Sequence, residues 1–115
     1  MDVCVFAFTN DRLREAILHA KSKGVMVRII SDDECSKFNG AEIYRLGLAG
    51  VPCTTDNNFR AHMHNKYVLI DSSILVTGSF NWTSQAVSMN QENLVILHDA
   101  ALVKDYQKNF EQLWE

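Results

Sequence analysis

The segment from residue 62 to residue 93 carries the pattern that decides the fold: HMHNKYVLIDSSILVTGSFNWTSQAVSMNQEN. Within it, residues 67–70 and 74–77 are rich in apolar and β-branched side chains, and only residues 71–73 separate them. Short apolar runs bounded by polar turn residues are typical of strands. We therefore predict a hairpin of two strands here.

Polar side chains with a repeated spacing flank this hairpin. His64 and Lys66 stand two apart at the start of the first strand, where positions i and i+2 face the same side with Cα atoms about 6.5–7 Å apart. Ser79 and Asn81 repeat that spacing after the second strand, directly after Gly78, which allows the backbone to approach closely. Imidazole, ammonium, hydroxyl and amide groups can all bind an anion. We predict that these four side chains converge on one phosphate.

Asp71 interrupts this pattern. It stands at the end of the first strand, and strand alternation places it on the opposite face from Lys66. We therefore predict an orienting or loop-holding role for Asp71 and no direct contact with substrate.

Upstream of the hairpin, the first thirty residues predict a β-α-β unit. Residues 3–8 form a continuous apolar run, which is typical of a strand buried on both faces. Apolar residues follow at helical spacing after an N-cap at Thr9 or Asn10, and Gly24 ends that helix. Residues 25–30 form a second β-rich run, so the two strands are expected to be parallel.

The remaining elements are short, and one helix closes the chain. We predict a polar loop at residues 31–40, a short helix at 41–49 and a short strand at 51–54. A polar stretch follows the hairpin at 79–91, and a last strand lies at 94–97. The closing helix begins after Asp99. The side chains expected to face the core are Ile43, Leu46 and Leu48 in the short helix, and Val103, Tyr106, Phe110 and Leu113 in the closing helix.

Composition sets limits on the class of protein. The chain has 115 residues, with 11 Lys and Arg against 14 Asp and Glu, a net charge of −3 and 47% hydrophobic residues. This predicts one folded domain over residues 1–115 and argues against a surface coated in basic residues. No apolar run reaches the roughly 18 residues needed to cross a bilayer, so we expect no transmembrane segment. Three widely spaced cysteines, without a C-x-x-C pair, predict neither disulfides nor a cysteine zinc site.

Two features beside the predicted site leave alternatives open. For a local basic cluster, the alternatives are that it guides a polyanion or that it is a solvated loop. For three aromatic residues, the alternatives are that they stack on bases, touch acyl chains or pack under a loop. The cluster consists of Arg60, His62, His64 and Lys66, and the aromatic residues are Phe59, Phe80 and Trp82.

The spacing of the polar residues resembles the H-K-D signature of the phospholipase D superfamily: His64-x-Lys66-x4-Asp71-x6-Gly78-Ser79-x-Asn81. The segments DVCVFAFT, GSFNWTSQA and QENLVILHD resemble its small single-motif branch, which contains Zucchini-like cardiolipin hydrolases and Nuc-like bacterial endonucleases. The resemblance covers residues 2–114. It implies an α/β fold with a mixed β-sheet flanked by helices, assembled as a two-fold homodimer.

The resemblance also implies a reaction and a role for each residue. The reaction is phosphodiester hydrolysis without a metal or other cofactor, through a phosphohistidine formed on His64. Lys66 and Asn81 would bind the phosphate oxygens, with Ser79 assisting. Glu92 matches a glutamate that accepts a hydrogen bond from the other nitrogen of the nucleophile, and Asp71 completes the motif. From the residue types we further expect that no histidine, cysteine or carboxylate cluster suits a metal.

One motif per chain implies that two chains share a site. A phosphodiester needs one imidazole to attack phosphorus and a second to protonate the leaving oxygen, so we expect the two His64 side chains of a homodimer to face each other. The resemblance implies single-stranded RNA or cardiolipin as substrate, the latter giving phosphatidic acid. It implies an intracellular protein at the mitochondrial outer membrane surface, although we expect the family's N-terminal anchor to be absent. The alternative is a non-catalytic scaffold that binds anionic lipid or RNA.

Overall fold

A six-stranded mixed sheet forms the centre of the computed structural model, which describes residues 1–37 and 40–115. Its strands are β1 (Asp2–Val5), β2 (Arg28–Ser31), β3 (Cys53–Thr55), β4 (Lys66–Ile70), β5 (Ile74–Gly78) and β6 (Leu94–Leu97). The α-helices of the described part are α1 (Asp11–Ser22), α2 (Ile43–Leu48), α3 (Ser84–Ser88) and α4 (Ala100–Trp114), and Cys35–Lys37 form a 3₁₀ turn.

The order of the strands is β3-β2-β1-β4-β5-β6. β1 and β2 are parallel, as the β-α-β pattern predicts. β2 and β3 are also parallel. β4 is antiparallel to both β1 and β5, and β5 is antiparallel to β6. The predicted hairpin is therefore confirmed. In this register Val5 lies opposite Lys66, which brings the end of β1 to the beginning of β4.

Two hydrophobic clusters cover the two faces of the sheet. Val3 and Val5 of β1 face the cluster that includes Ile17 of α1 and Leu46 of α2. Cys4 faces the other side, where it packs with a cluster that includes Phe110 of α4. Side chains of a strand alternate between faces, so the apolar run of β1 is explained by its burial on both sides. The expected α/β architecture, a mixed sheet flanked by helices, is confirmed.

The predicted starts of α1 and α4 each have a capping side chain. The Asn10 side chain accepts a hydrogen bond from the backbone N–H of Leu13 at 3.0 Å, and Asp99 accepts one from Leu102 at 3.1 Å. Each side chain satisfies a donor that has no partner within the helix. In α4, Val103 and Phe110 are buried and Tyr106 and Leu113 are partly buried, as predicted.

Several predicted boundaries were wrong. β1 ends at Val5 and not at residue 8, because the backbone after it bonds to residues 65 and 82 instead of continuing in the ladder. β2 begins at Arg28, three residues later than predicted. The polar stretch at 79–91, for which no helix was predicted, contains α3, which is too short to show helical periodicity.

Leu48 does not face the core. Its residue is 72% exposed, whereas Leu46 is fully buried. Two residues span about 200° around an α-helix, so Leu46 and Leu48 lie on nearly opposite sides of α2. Within the predicted loop at 31–40, residues 35–37 form the 3₁₀ turn, and residues 38 and 39 lie outside the described part.

Gly78 marks a close approach between two backbone segments at the end of β5. A Cβ atom built on Gly78 would lie 2.1 Å from the carbonyl oxygen of Asn93. That same oxygen accepts a hydrogen bond from the N–H of Ser79 at 3.0 Å, so the backbone cannot move aside without losing this bond. The glycine is therefore required for the approach that joins residues 78–79 to the start of β6.

We predict that Gly78→Ala destabilises the protein by about 1–3 kcal/mol, the usual cost of forcing an extra methyl group into a packed site. Gly47→Ala is the control, because a Cβ there meets no atom within 4 Å. It should leave stability unchanged or raise it slightly, since alanine favours helix more than glycine. Urea unfolding measures both variants, and equal stability for the two would contradict this account of Gly78.

Candidate active site

The ring of Phe6 contacts both His64 and Lys66 of the motif. Phe6 directly follows β1, and its backbone N–H donates to the carbonyl of Asn65 at 2.9 Å. Its ring centroid lies 4.6 Å from that of His64, and the Lys66 ammonium lies 5.4 Å from the Phe6 centroid. This contact was not predicted, because the apolar run of residues 3–8 does not show which residue ends beside the motif.

His64 and Lys66 lie close together, as the two-residue spacing predicts, and their side chains are in direct contact. The Lys66 Nζ lies 3.1 Å from His64 Nδ1 and donates to the His64 carbonyl oxygen at 2.8 Å. The same Nζ lies 3.5 Å from His64 Nε2. An ammonium group only donates hydrogen bonds, so its position beside the ring favours a neutral imidazole with one unprotonated nitrogen. The arrangement keeps a lone pair on the imidazole, as a nucleophile requires.

The surroundings of both groups disfavour positive charge. Burial lowers the pKa of His64, and the nearby charges of Lys66 and His62 lower it further, while the Asp32 carboxylate acts in the opposite direction. Burial likewise lowers the pKa of Lys66, and the Glu92 carboxylate partly opposes that effect. His64 is therefore biased towards its neutral form near neutral pH.

Ser79 and Glu92 form a second pair beside this one. The Ser79 hydroxyl donates a short hydrogen bond to the Glu92 carboxylate and accepts one from the backbone N–H of Asn93 at 3.1 Å. Asn90 donates to the other carboxylate oxygen of Glu92 at 3.2 Å. Among the described residues, Glu92 makes no hydrogen bond to His64. Its expected role as the acceptor for His64 is therefore not seen in this arrangement.

Asn81 is oriented by the backbone after β1. Its Oδ1 accepts a hydrogen bond from the N–H of Ala7 at 3.3 Å, which leaves its Nδ2 group as the donor available to a ligand. Asn81 is thereby attached to the residue next to Phe6. The loop after β5 and the end of β1 thus meet at the site.

Asp71 lies apart from the other predicted residues. It follows β4 at the opposite end from Lys66, about 16 Å away by the rise of a strand, and belongs to the turn before β5. Its φ of 53° and that of Ser72, 54°, are both in the left-handed region, which suits a tight turn. Its side chain makes no hydrogen bond within the described part of the chain. The structure thus separates Asp71 from the phosphate-binding candidates, in line with the prediction that it does not contact substrate.

The aromatic residues near the site differ in their surroundings. Trp82 packs edge-on against Phe8, with ring centroids 4.9 Å apart, and is partly buried against the core. Phe59, by contrast, is 78% exposed, and the ammonium of Lys37 lies 5.9 Å from its centroid. Packing therefore explains Trp82, whereas Phe59 borders an open surface. Phe59 also lines a cavity of about 110 Å³ with Glu34, Arg60, Ala61 and His62.

Carboxylates and an imidazole meet beside the site in two groups. Ligand atoms of Asp32, Glu34 and His62 lie within 4.8 Å of one another, and so do those of Asp32, Asp33 and Asp56. The sequence did not show this because Asp32 and His62 are thirty residues apart. However, the Asp32 carboxylate already accepts backbone hydrogen bonds from residues 34, 35 and 63 and contacts the His62 ring. Its oxygens are thus occupied, and the donor set fits a cation poorly.

Comparison with known proteins identifies the family. A model described as "Cardiolipin synthase, PLD-like domain" matches residues 1–114. The chain belongs to this phospholipase D-like family. It is 43% identical over 115 residues to the mitochondrial cardiolipin hydrolase of Chlamydomonas reinhardtii, and 40% identical to that of Xenopus tropicalis. All of this chain is covered in both cases, but only 51% and 54% of those relatives. The chain thus spans about half the length of the curated relatives it matches.

A solved structure supports the same conclusion. The phospholipase D family member Nuc from Salmonella typhimurium is 30% identical and superposes with a TM-score of 0.87. The alignment covers 97% of this chain and 75% of Nuc. The resemblance inferred from the H-K-D spacing is therefore confirmed. None of the described helices is long and apolar enough to cross a membrane.

We predict that the His64 imidazole titrates below 6.5, the ordinary value for histidine. Lys66→Met should raise its pKa, because it removes a neighbouring positive charge, but burial should keep the pKa below the ordinary value. Lys104→Met, on an exposed position of α4, is the control and should change nothing. NMR titration of the ring protons measures these values. A His64 pKa above 6.5 in the unaltered protein would be inconsistent with this description of the site.

Proposed function

We propose that this protein hydrolyses phosphodiesters in two steps, with His64 as the nucleophile. The observation that carries the proposal is the contact between His64 and Lys66 at the end of the sheet, in a chain that belongs to the phospholipase D-like family. An imidazole held neutral beside a cation suits attack on an anionic phosphate ester. The alternative of a non-catalytic scaffold is not favoured, because it gives no reason for this arrangement.

The phosphate would take over the contact that the His64 imidazole makes with Lys66 in the free protein. When it binds, the Lys66 ammonium shifts from His64 Nδ1 to a phosphate oxygen, and Nδ2 of Asn81 donates to another. Ser79 assists if its hydroxyl turns away from Glu92. Glu92 is then free to accept a hydrogen bond from the His64 nitrogen that does not attack phosphorus.

In the first step the lone pair of His64 attacks phosphorus. A phosphorus–nitrogen bond forms, the bond to the leaving oxygen breaks, and this oxygen takes a proton from a second imidazole. In the second step that imidazole, now neutral, takes a proton from water. The resulting hydroxide attacks phosphorus, the phosphorus–nitrogen bond breaks, and His64 is released.

We assign the second imidazole to His64 of a second copy of this chain, in a homodimer with a shared site. The surface of β6 supports such an assembly, because Leu94, Val95 and Ile96 are 49%, 49% and 61% exposed. β6 is one of the two edge strands of the described sheet and begins directly after Glu92 and Asn93. An exposed apolar edge strand is a surface that a second chain readily covers.

Cardiolipin is the substrate that we propose first, because the curated relatives carry the name mitochondrial cardiolipin hydrolase. The same names support a mitochondrial location, at the outer membrane surface in our proposal. A second candidate is single-stranded nucleic acid. Exposed Phe59 with the Lys37 ammonium beside it favours this candidate, since aromatic rings and cations together bind single strands.

We predict that His64→Ala lowers turnover at least about 10³-fold, as removal of the nucleophile does in other covalent hydrolases. His19→Ala, at an exposed position of α1, is the control and should retain activity. Cardiolipin vesicles and a labelled single-stranded oligonucleotide serve as the two substrates, both in excess EDTA. Undiminished turnover by His64→Ala would refute the nucleophile. Activity that EDTA abolishes and a divalent ion restores would refute metal-independent chemistry.

We predict that Ile96→Lys converts the dimer into an inactive, folded monomer, because a charged side chain at the centre of β6 opposes burial against a second copy. Leu48→Lys is the matched control, because Leu48 is 72% exposed on α2. This substitution should leave assembly and activity intact. Sedimentation velocity and the turnover assay are run at the same concentration. A fully active monomer would rule out the shared site.

A further inference from the structure

A buried carboxylate directly after β2 holds the segment that leads to the catalytic histidine. Asp32 is fully buried. Its Oδ1 accepts a hydrogen bond from the backbone N–H of Met63 at 2.8 Å, and its Oδ2 accepts from Glu34 and Cys35 at 3.1 and 3.3 Å. A buried carboxylate with so many donors is rigid, because each lost bond would leave a polar group unsatisfied. Asp32 thus attaches residue 63 to the end of β2.

The segment is also fixed after His64. The carbonyl of Asn65 accepts the hydrogen bond from Phe6, and Lys66 begins β4. Met63 itself is buried, and its sulfur lies 3.4 Å from Sγ of Cys4. His64 therefore lies between one fixed point at residue 63 and another at residues 65–66. The first of these depends on the Asp32 carboxylate.

Asp32 also reaches His64 through side chains. Nδ1 of His62 lies 3.3 Å from Oδ2 of Asp32. The ring of His62 contacts that of Phe6 edge-on, with centroids 5.2 Å apart. The ring of Phe6 also contacts that of His64, with centroids 4.6 Å apart. The imidazoles of residues 62 and 64 are thus held against one ring. Asp32 fixes the orientation of the first, which limits the space open to the second.

We propose that Asp32 is a positioning residue that aims His64 at the substrate phosphorus, through its bonds to the backbone of Met63 and to the ring of His62. This inference rests on the proposed function, in which His64 is the nucleophile. Asp32 does not touch the phosphate, so its loss should impair attack and not binding. Small displacements of a reacting group cost about 10²-fold in rate.

The charge of Asp32 supplies a second signature. The charged or titratable groups that face His64 are Lys66 on β4, His62 in the same segment and Asp32 after β2, and the Glu92 carboxylate faces Lys66. Of the groups that face His64 itself, Asp32 is the one that raises its pKa. Replacing it with a neutral residue should lower the pKa of His64. Activity that is lost as His64 gains a proton should then persist to lower pH.

Asp32→Asn and Asp33→Asn form a matched pair. Asp33 is the next residue and is 5% exposed, but its side chain contacts the backbone N–H of Glu34 and not the segment at residues 62–64. We expect Asp32→Asn to lower kcat about 10- to 100-fold with KM unchanged, and to shift the acidic limb of the pH profile downwards. Asp33→Asn should retain kcat within about 2-fold and should not shift the profile.

His62→Phe keeps the experiment informative if Asp32→Asn does not fold. Phenylalanine preserves the contact with Phe6 but removes the bond to Asp32, so we expect kcat to fall about 2- to 10-fold at constant KM, the usual effect of one hydrogen bond. Circular dichroism monitors folding of every variant. Folded variants at residues 32 and 62 with wild-type kcat, beside an inactive His64→Ala, would overturn the positioning role alone. An active His64→Ala would overturn the proposed function.

Discussion

The antiparallel pairing of β1 with β4 is the constraint on which the site depends. It sets Val5 opposite Lys66, so that the residues directly after β1 meet those directly before β4. The hydrogen bond from Phe6 to Asn65 continues this contact beyond the ladder. Because β1 and β2 are parallel, Asp32, which follows β2, lies at the same end of the strands as Phe6, which follows β1. These two pairings thus bring Phe6, His64 and Asp32 together from three segments.

A second close approach completes the site from the other side of β4. Gly78 lets the end of β5 lie against the carbonyl of Asn93, and this places Ser79 within reach of Glu92. Asn81 then attaches to the backbone after β1. The groups that we propose to bind phosphate, Lys66, Ser79 and Asn81, are neutral or cationic. The result is a local surface for an anion on a chain whose net charge is −3.

Local patterns in the sequence predicted the strands of the hairpin from two apolar runs around a short polar turn. Alternation along one strand predicted that His64 and Lys66 lie close together. The same rule also separated Asp71 from the site. The contributions of Phe6 and Asp32 could not be predicted, since nothing local connects them with a segment that begins thirty or more residues later. The Glu92–Ser79 bond was missed for a related reason, as it depends on how β5 and β6 pair. The error at Leu48 was different in kind, because helical geometry alone would have placed it opposite Leu46.

The stereochemical course at phosphorus shows whether His64 forms a covalent intermediate. A phosphodiester made chiral at phosphorus with oxygen isotopes and sulfur is hydrolysed by the chain, and the configuration of the product is determined by ³¹P NMR. Two successive in-line displacements, first by His64 and then by water, predict retention of configuration. Inversion would mean that water attacks phosphorus directly, and it would contradict a phosphohistidine on His64.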